Sequence, residues 1–484
     1  MKLFFVSILF SLAALCGSYE VTAGPVIKGV VECNGKGIPG VVVSDGFSCV
    51  VTDEYGEYEM EASVEGGFVF VSTPAGYLPG EVKNGTVPVF YKSIEGPGIY
   101  NFSLKKNPLD DRRHVCFVQS DVQLVSEENL EPYRELLDDM NEYKSAYDGK
   151  VDVFGIDCGD IVGDTPSLFS PYLNTVSVLD MPVYRAIGNH DMDYYGRSYE
   201  TSYSTFEGLF GPVRYSFNRG NVHYIVINNN FYIGREYFYI GYVDEKTFSW
   251  LEKDLSYVPD GSTVVLVMHM PSRLTPSVKR FSYDYPTLAD QTVNAGALHG
   301  MFGRYNTHII SGHMHYNLNI CFSETLMEHN TAAVCGTWWC AGMCLDGTPS
   351  GYAVYEADGD EIKWLYKSAG YPDTYQARAY LPGASPEYPE CVVANVWNYD
   401  TSWKVEWCEN GVVVGEMEQY SGCDPYAELL CKDRTRIKYD WIGPTETVHL
   451  FRSVPVDPSA RIEVRVTDRF GNVYVAPAVA LIYP

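Results

Sequence analysis

The sequence predicts an α/β domain that lies between two all-β domains. The chain has 484 residues, which corresponds to about three domains at roughly 150 residues each. From 108 to 371, apolar strand-like runs alternate with segments whose apolar residues recur at helical spacing. On either side, short strand-like runs are separated by glycine and proline, which is typical of all-β domains. The predicted domains are therefore residues 24–107, 108–371 and 372–484, after a signal peptide at 1–23.

The N-terminal segment predicts export to the periplasm or the extracellular space. Lys2 precedes an apolar run at 3–15 that is too short to cross a bilayer, and the Val-Thr-Ala sequence at 21–23 offers a small-residue cleavage site. A lipid-modified Cys16 is the alternative, which Leu15 disfavours because it is bulkier than such sites usually accept. No later segment is long and apolar enough to be predicted as a transmembrane segment.

Composition narrows the expected partners and the redox setting. The formal net charge of −27 argues against nucleic acid or an anionic membrane as a partner, because both repel a negative protein. If Cys16 is removed with the signal peptide, an even number of cysteines remains, which permits disulfides in an exported protein. Cys33 and Cys49 are the candidates for a disulfide in the first domain.

The first all-β domain contains strand-like runs at 26–31 and 40–43, with glycines at the turns. The segment 37–43, followed by 51–58, resembles the small β-sandwiches of the carboxypeptidase regulatory-like family. The expected role of this domain is that of a spacer or a folding aid, because no residue in it demands another. A carbohydrate-contacting role is the alternative.

The central region predicts buried strands with helices between them. Pro132 is compatible with the first turn of the first helix. The predicted strands are 114–120, 151–156, 183–187, 222–227, 264–268 and 307–310, and the predicted helices are 130–143, 168–179 and 246–255.

The C-terminal region predicts a second β-sandwich. Glu409-Asn410-Gly411 lies between the strand-like runs 403–408 and 412–415, which is a strong hairpin signal. Residues 462–466 alternate between apolar and charged, as expected of a strand with one buried face.

Polar side chains with metal-binding chemistry follow the predicted strands of the central domain. Because ligands bind at the carboxyl edge of open parallel sheets, these side chains are expected to meet there. We expect each His-x-His or Asp-x-Gln pair to lie in extended backbone, with both side chains on one side. The residues are Asp121 and Gln123, Asp160, the run Asn189, His190 and Asp191, then His269, and finally His313 and His315.

This mixture of ligand types predicts a site for divalent transition metals. Carboxylate, imidazole and amide ligands suit Mn, Fe or Zn rather than a zinc site made of thiolates. Two such ions, roughly 3.5–4 Å apart, stabilise both the attacking and the leaving oxygen of a phosphoryl transfer.

The motifs Asp-x-Gln, Gly-Asp, Gly-Asn-His-Asp, His and Gly-His-x-His, in this order, resemble those of the calcineurin-like metallophosphoesterases. The resemblance extends from about 113 to 367 and favours an exported bacterial branch with flanking β-sandwich domains. It implies an α/β/β/α sandwich, in which two packed sheets are flanked by helices.

The resemblance also implies a role for each ligand. Asp160 would bridge the two metals, Asp121, Gln123 and His315 would complete one site, and Asn189, His269 and His313 would complete the other. His190 would act as general acid or phosphate donor, Asp191 would orient and charge it, and a metal-bound hydroxide would attack phosphorus in line.

Gln123 departs from the commonest family pattern, which has histidine at this position. Because a glutamine oxygen is neutral and harder than imidazole, this site is expected to bind its metal more weakly and to prefer a harder ion. Arg273 is a further candidate for a phosphate contact, with an exposed loop arginine as the alternative. Trp338 and Trp339 are candidates for a pocket wall, with core packing as the alternative.

The predicted function is that of a secreted, dinuclear-metal phosphoesterase acting on a phosphomonoester or a phosphodiester. The expected substrate is a small phosphate ester of the cell envelope or the extracellular space. The alternatives are a non-catalytic binding protein on the same scaffold, and a nuclease, which the acidic composition disfavours.

Overall fold

A computed structural model describes residues 24–236, 238–275 and 285–481. The predicted signal peptide and Cys16 lie outside this range. None of the helices within the described ranges is long and apolar enough to cross a membrane.

The N-terminal domain consists of short strands that pack around a small core. One sheet is built on β1, which pairs with β2, β5, β11 and β12, and a second has the order β10-β6-β3-β4. Buried residues such as Ile27, Val43 and Phe102 fill the space between them. The strands are β1 (Val26–Cys33), β2 (Lys36–Gly37), β3 (Val42–Ser44), β4 (Cys49–Val51), β5 (Glu57–Glu61), β6 (Phe68–Val71), β7 (Tyr77–Leu78), β8 (Glu81–Lys83), β9 (Val87–Val89), β10 (Tyr91–Ser93), β11 (Gly98–Ile99), β12 (Phe102–Ser103) and β13 (Lys105–Lys106).

The central region alternates strands and helices, as the sequence predicts. Its elements are β14 (Arg113–Gln119), α1 (Leu130–Lys144), β15 (Asp152–Asp157), α2 (Phe169–Val176), β16 (Val183–Arg185), α3 (Ser204–Phe210), β17 (Tyr215–Arg219), β18 (Val222–Val226), β19 (Asn230–Gly234), β20 (Phe238–Gly241), α4 (Glu245–Leu255), β21 (Thr263–Val267), α5 (Tyr285–Asp290), α6 (Ala295–Met301), β22 (Asn306–Ser311), β23 (Leu318–Ser323), β24 (Leu326–Asn330), β25 (Gly351–Asp358) and β26 (Glu361–Ser368).

These strands form two sheets that pack against each other. The first has the order β16-β15-β14-β25-β26, and the second has the order β17-β18-β21-β22-β24-β23. One apolar cluster contains Val118 and Ile156 from the first sheet together with Tyr224 and Leu266 from the second. Burial of this shared layer stabilises the domain, because each large side chain contributes about 1.5–3 kcal/mol when removed from water.

Helices cover the outer faces of the two sheets. The apolar stripe of α1, which includes Tyr133 and Leu137, packs with Phe169 of α2 against the first sheet. Trp250 and Leu251 of α4 pack against the second sheet, and Asp244 caps this helix by accepting a hydrogen bond from the Thr247 amide. The predicted α/β/β/α fold class is confirmed.

The C-terminal region is again rich in strands, with the order β30-β29-β33-β34-β27-β28-β32-β31. Asn410 and Gly411 have φ of 55° and 81°, as a two-residue hairpin turn between β29 and β30 requires. The elements are β27 (Arg378–Tyr380), β28 (Val392–Asn395), β29 (Lys404–Glu409), β30 (Val412–Glu416), β31 (Glu418–Gly422), α7 (Pro425–Lys432), β32 (Thr447–Ser453), β33 (Ile462–Thr467) and β34 (Val473–Val479).

The cysteines differ from the expectation of a disulfide. Cys33 and Cys49, like every other cysteine in the described part of the chain, are free thiols. Burial raises the pKa of several of these thiols, including Cys116 and Cys158, and a buried neutral thiol packs as a small apolar side chain.

Candidate metal centre

The predicted ligands meet at one edge of the two packed sheets. Strands β14, β15 and β16 are parallel neighbours, and so are β18, β21 and β22, so that the loops after each set leave the same edge. These loops carry Asp121 and Gln123 after β14, Asp160 after β15, Asn189 after β16, His269 after β21, and His313 and His315 after β22.

We call Asp160, Asn189, His269 and His313 the first half of the site. One ligand atom from each of Asp160, His269 and His313 lies within 4.8 Å of the others. Nε2 of His269 lies 3.2 Å from Oδ2 of Asp160 and 3.0 Å from Oδ1 of Asn189. Asp160, Asn189 and His269 are buried, so these groups face one another and not bulk water.

We call Asp121, Gln123 and His315 the second half of the site. Nε2 of His315 lies 3.4 Å from Oδ1 of Asp121. The backbone N–H of Gln123 donates a hydrogen bond of 2.7 Å to the backbone oxygen of Asp160, which joins the two halves. All three side chains are buried.

The three histidines present their ring nitrogens as metal ligands do. Nδ1 of His269 lies 2.8 Å from the Cys158 oxygen, Nε2 of His313 lies 3.0 Å from the Ala289 oxygen, and Nδ1 of His315 lies 3.3 Å from the Gly336 oxygen. Each ring thus donates one N–H to a backbone carbonyl and keeps the lone pair of its other nitrogen for a cation.

The charges around these rings also fit a bound cation. Burial disfavours the charged form of His269, but the Asp160 carboxylate outweighs it and raises the pKa of His269 to about 9. A proton on Nε2 of His269 relieves the repulsion from the oxygens of Asp160 and Asn189, and a bound metal ion would take the place of that proton. Burial and the neighbouring His269 lower the pKa of His313 to about 3, which leaves this ring neutral and able to bind a metal.

The backbone of the ligands differs from the expected extended conformation. Asp121 and Gln123 have φ of 53° and 44°, and His313 and His315 have φ of 73° and 55°. The expected strand-like alternation is therefore wrong. The strands end before these residues, and alternate left-handed residues curl each loop so that both side chains reach the site. Such conformations are uncommon outside glycine and concentrate at functional sites.

Two glycines of the motifs are required because neighbouring loops come so close to them that a side chain would not fit. A Cβ atom on Gly188 would overlap the backbone nitrogen and Oδ1 of Asp160, and one on Gly312 would overlap the hydroxyl of Ser120. The glycines before Asn189 and His313 therefore allow the loops to come within contact distance of each other.

His190 has a different partner from the one predicted. Its Nδ1 lies 2.9 Å from Oδ1 of Asp164, a residue of the Gly-Asp turn that follows β15. Partial burial disfavours the imidazolium, but the carboxylates of Asp160 and Asp164 outweigh it and raise the pKa of His190 to about 9. From the sequence, Asp164 was expected equally to support the site and to be only a turn residue next to Gly163.

The prediction that Asp191 orients His190 is wrong in this structure. Residues Asn189–Asp191 form one turn of 3-10 helix, which directs the Asp191 side chain back into the protein. Its carboxylate accepts hydrogen bonds from the amides of Gly188 and Val162, at 2.9 and 3.0 Å. Burial and the nearby Asp160 charge raise the pKa of Asp191 to about 7. Asp191 therefore holds two loops of the first half together.

Several supporting residues were missed by the sequence analysis. Asn229 Nδ2 donates to the Met270 oxygen at 2.7 Å, next to His269, and Asn230 Nδ2 donates to the Ile187 oxygen at 2.7 Å. The buried Glu328 accepts hydrogen bonds from the Ser272 amide and the Ser311 hydroxyl, both at 2.8 Å. The Asn228-Asn229-Asn230 run after a buried strand was the signal that could have found the first two.

The three candidate substrate residues have different positions. Trp338 stacks on His315 with ring centroids 4.2 Å apart, so it forms a wall of the second half. Trp339 donates a hydrogen bond of 3.0 Å to the Val122 oxygen and packs beside Tyr133. Arg273 lies beside Gly296 of α6.

Three family models match consecutive parts of the chain. The model for calcineurin-like phosphoesterase matches residues 116–317, that for its N terminal matches 25–107, and that for its C terminal matches 328–474. The chain belongs to the calcineurin-like phosphoesterase family. The family resemblance stated from the sequence motifs is confirmed.

No curated protein matches the sequence. Among solved structures, a dimetal phosphatase from Danio rerio is 14% identical with a TM-score of 0.37, and the match covers 53% of this chain and 96% of that one. Purple acid phosphatase PPD1 from yellow lupin is 12% identical with a TM-score of 0.36, covering 68% and 67%. A 5'-nucleotidase from Candida albicans is 16% identical with a TM-score of 0.30, covering 52% and 50%.

Proposed function

We propose that the protein is an exported phosphoesterase that uses two divalent metal ions (Mn, Fe or Zn) to hydrolyse a phosphomonoester or a phosphodiester. The observation that supports it most is the arrangement of His269, His313 and His315. Each ring donates one N–H to a backbone carbonyl, and its other nitrogen is left for a metal ion beside the buried carboxylates of Asp121 and Asp160.

The two halves of the site would each hold one ion. Asn189, His269 and His313 would bind one, Asp121, Gln123 and His315 the other, and Asp160 would be shared. When bound, such a pair supplies positive charge for the phosphoryl oxygens and makes water more acidic.

His190 would provide the proton for the leaving oxygen. Its Nδ1 is bonded to Asp164, so Nε2 is the nitrogen that remains for the substrate. The side chain is 31% exposed, in contrast to the buried ligands around it, which allows an ester to reach it from solvent. Its backbone amide donates a hydrogen bond of 2.8 Å to Oδ1 of Asp160, which fixes the ring next to the shared ligand.

The test is hydrolysis of p-nitrophenyl phosphate and bis(p-nitrophenyl) phosphate by the purified protein with added Mn²⁺. We expect turnover that a chelator removes and that Asn189→Ala and His190→Ala abolish. Asn306→Ala is the matched control, because Asn306 is exposed at the opposite end of β22 and should leave turnover unchanged.

The rival hypothesis, a non-catalytic binding protein, gives a different result in the same assay. It predicts metal binding without turnover in the wild-type protein. Retained turnover in both Asn189→Ala and His190→Ala would contradict the proposed site itself.

We also propose that the chain is exported after cleavage behind Ala23, and that its domains end at 107 and 371. N-terminal sequencing of the protein recovered outside the cytoplasm should give Gly24 as the first residue. A chain that begins with a lipid-modified Cys16 would contradict cleavage after Ala23.

A further inference from the structure

Trp441 is an aromatic side chain of the C-terminal domain that contacts a wall of the candidate metal centre. It is 62% exposed, although a tryptophan has more apolar surface to bury than any other residue. Its ring meets Trp338 edge to face, with centroids 4.3 Å apart and an interplanar angle of 84°. Trp338 in turn stacks on the ligand His315. Only one ring therefore lies between Trp441 and the second half of the site.

The exposed position of Trp441 is held by the backbone around it. Ile437 and Ile442, on either side of Trp441 in the sequence, are buried in one apolar cluster with Leu430. The Arg434 guanidinium donates hydrogen bonds to the backbone oxygens of Tyr439 and Ile442, at 3.2 and 3.4 Å. The loop is therefore anchored at both ends, and Trp441 is presented to solvent by a fixed backbone.

Trp338 and Tyr439 are the two aromatic rings that neighbour Trp441, and we call the three rings together the aromatic platform. Tyr439 lies beside Trp441 with centroids 5.5 Å apart and an interplanar angle of 30°. Trp338 has φ of 49°, an uncommon conformation for a bulky residue, and this conformation places its ring on His315. Such strain is found where the surrounding structure enforces a functional geometry.

The geometry points to a substrate whose leaving group carries a flat ring that stacks on the aromatic platform. This inference rests on the proposed phosphoesterase function. The rings of Trp338 and Trp441 follow one another from His315 towards solvent, so the leaving group of a phosphate ester bound next to His315 would have these rings beside it. Aromatic faces bind aryl rings and bases by stacking without requiring a particular pattern of hydrogen-bond donors, so the class is defined by the ring and not by its polar groups.

The test compares binding of phenylphosphonate and methylphosphonate, which share the phosphonate group but differ in the ring. Isothermal titration calorimetry of the Mn²⁺-loaded full chain should give about tenfold tighter binding of phenylphosphonate, the size of a single stacking contact. Trp441→Ala should remove this preference and leave methylphosphonate binding unchanged. Trp441→Phe should keep most of the preference, and Tyr55→Ala, which removes an exposed aromatic ring of the N-terminal domain, should keep all of it.

The outcomes separate the platform from the proposed function. If Trp441→Ala weakens both phosphonates equally, or neither, or if the wild-type protein does not prefer the ring, the platform is not a substrate site. If Trp441→Ala instead dissociates a dimer of the wild-type chain, the platform is a contact between copies, and the inference is overturned. If the ring preference is found but no phosphate ester is hydrolysed, the platform is supported and the proposed function fails.

Discussion

The two halves of the metal centre are supported by different parts of the chain. In the first half, the loops of Asn189 and His269 are held by Asn230 and Asn229, which follow a strand of the central sheets. In the second half, Gln123 and His315 each lie 3.7 Å from the Cys335 thiol. Cys335 follows β24 and lies in the segment that the C-terminal family model matches.

This difference shows that the segment after β24 takes part in the second half of the site. The backbone N–H of Cys335 donates a hydrogen bond of 3.1 Å to the backbone oxygen of Asp121, and the Trp338 ring stacks on His315. Met343, from the same segment, packs in one cluster with Leu430 and Ile442 of the C-terminal domain. The first half therefore depends on the central sheets, whereas the second half also depends on how the C-terminal domain packs.

The largest effect is expected when one proposed ligand is removed from either half of the site. We expect His269→Ala to lower kcat/KM by more than about a hundredfold, because even residues that only support metal ligands cost up to that amount. Metal analysis should show one ion lost from the first half while the second is kept, and His315→Ala should show the reverse. Loss of both ions in both variants would mean that the halves are not separable.

Gln123→His tests whether the second half binds its metal more weakly. An imidazole in place of the neutral side-chain amide should raise the affinity for Zn²⁺ in the second half by about tenfold or more. Competition with a chelator, followed by metal analysis, measures this change against the unaltered first half. Equal occupancy of both halves in wild type and variant would contradict the prediction.

Cys335→Ala tests the support from the segment after β24. Removal of a buried thiol in contact with Gln123 and His315 should lower metal affinity in the second half by about tenfold, in the range found for supporting residues. Cys116→Ala is the control, because Cys116 is equally buried but lies within β14. If both variants lower the metal affinity of the first half, the effect is not specific to the segment after β24. If Cys335→Ala leaves the metal affinity of the second half unchanged, the prediction is wrong.

Asp164→Asn should have the smallest effect, a shift of the pH profile. A general acid must be protonated, so activity falls as the pH rises through its pKa. Loss of the Asp164 charge lowers the pKa of His190, and this fall should move to lower pH by about one unit. We expect kcat/KM between pH 6 and 10 to show the shift, with metal content unchanged and Asp138→Asn as control. An unmoved profile would exclude Asp164 as the partner of His190.

The sequence was sufficient to predict which polar side chains meet at one edge of the sheets, because each one follows an apolar strand. Parallel strands bring their carboxyl ends to one edge, so the ends of five strands could be grouped without knowledge of the loops. The left-handed backbone of Asp121 and His315 could not be predicted in this way, since the spacing Asp-x-Gln or His-x-His is equally compatible with an extended strand.

Sequence patterns could not predict contacts between residues that are far apart along the chain. Gln123 and Cys335 are 212 positions apart, and nothing in the sequence around either residue indicates that the two are in contact. Trp441 lies in a loop of the C-terminal domain and contacts Trp338, which is 103 positions earlier in the chain and has a positive φ that no sequence pattern marks. The partner of His190 was assigned to the adjacent Asp191, whereas a single turn of 3-10 helix directs that side chain inward and leaves Asp164 in contact.

The most direct test of a dinuclear site is an anomalous-scattering map from crystals of the full chain grown with Mn²⁺. We predict two peaks, one at the nitrogens of His269 and His313 and one at His315 and Gln123, with the Asp160 carboxylate in contact with both. A single peak, or two peaks that do not share Asp160, would contradict the proposed dinuclear site.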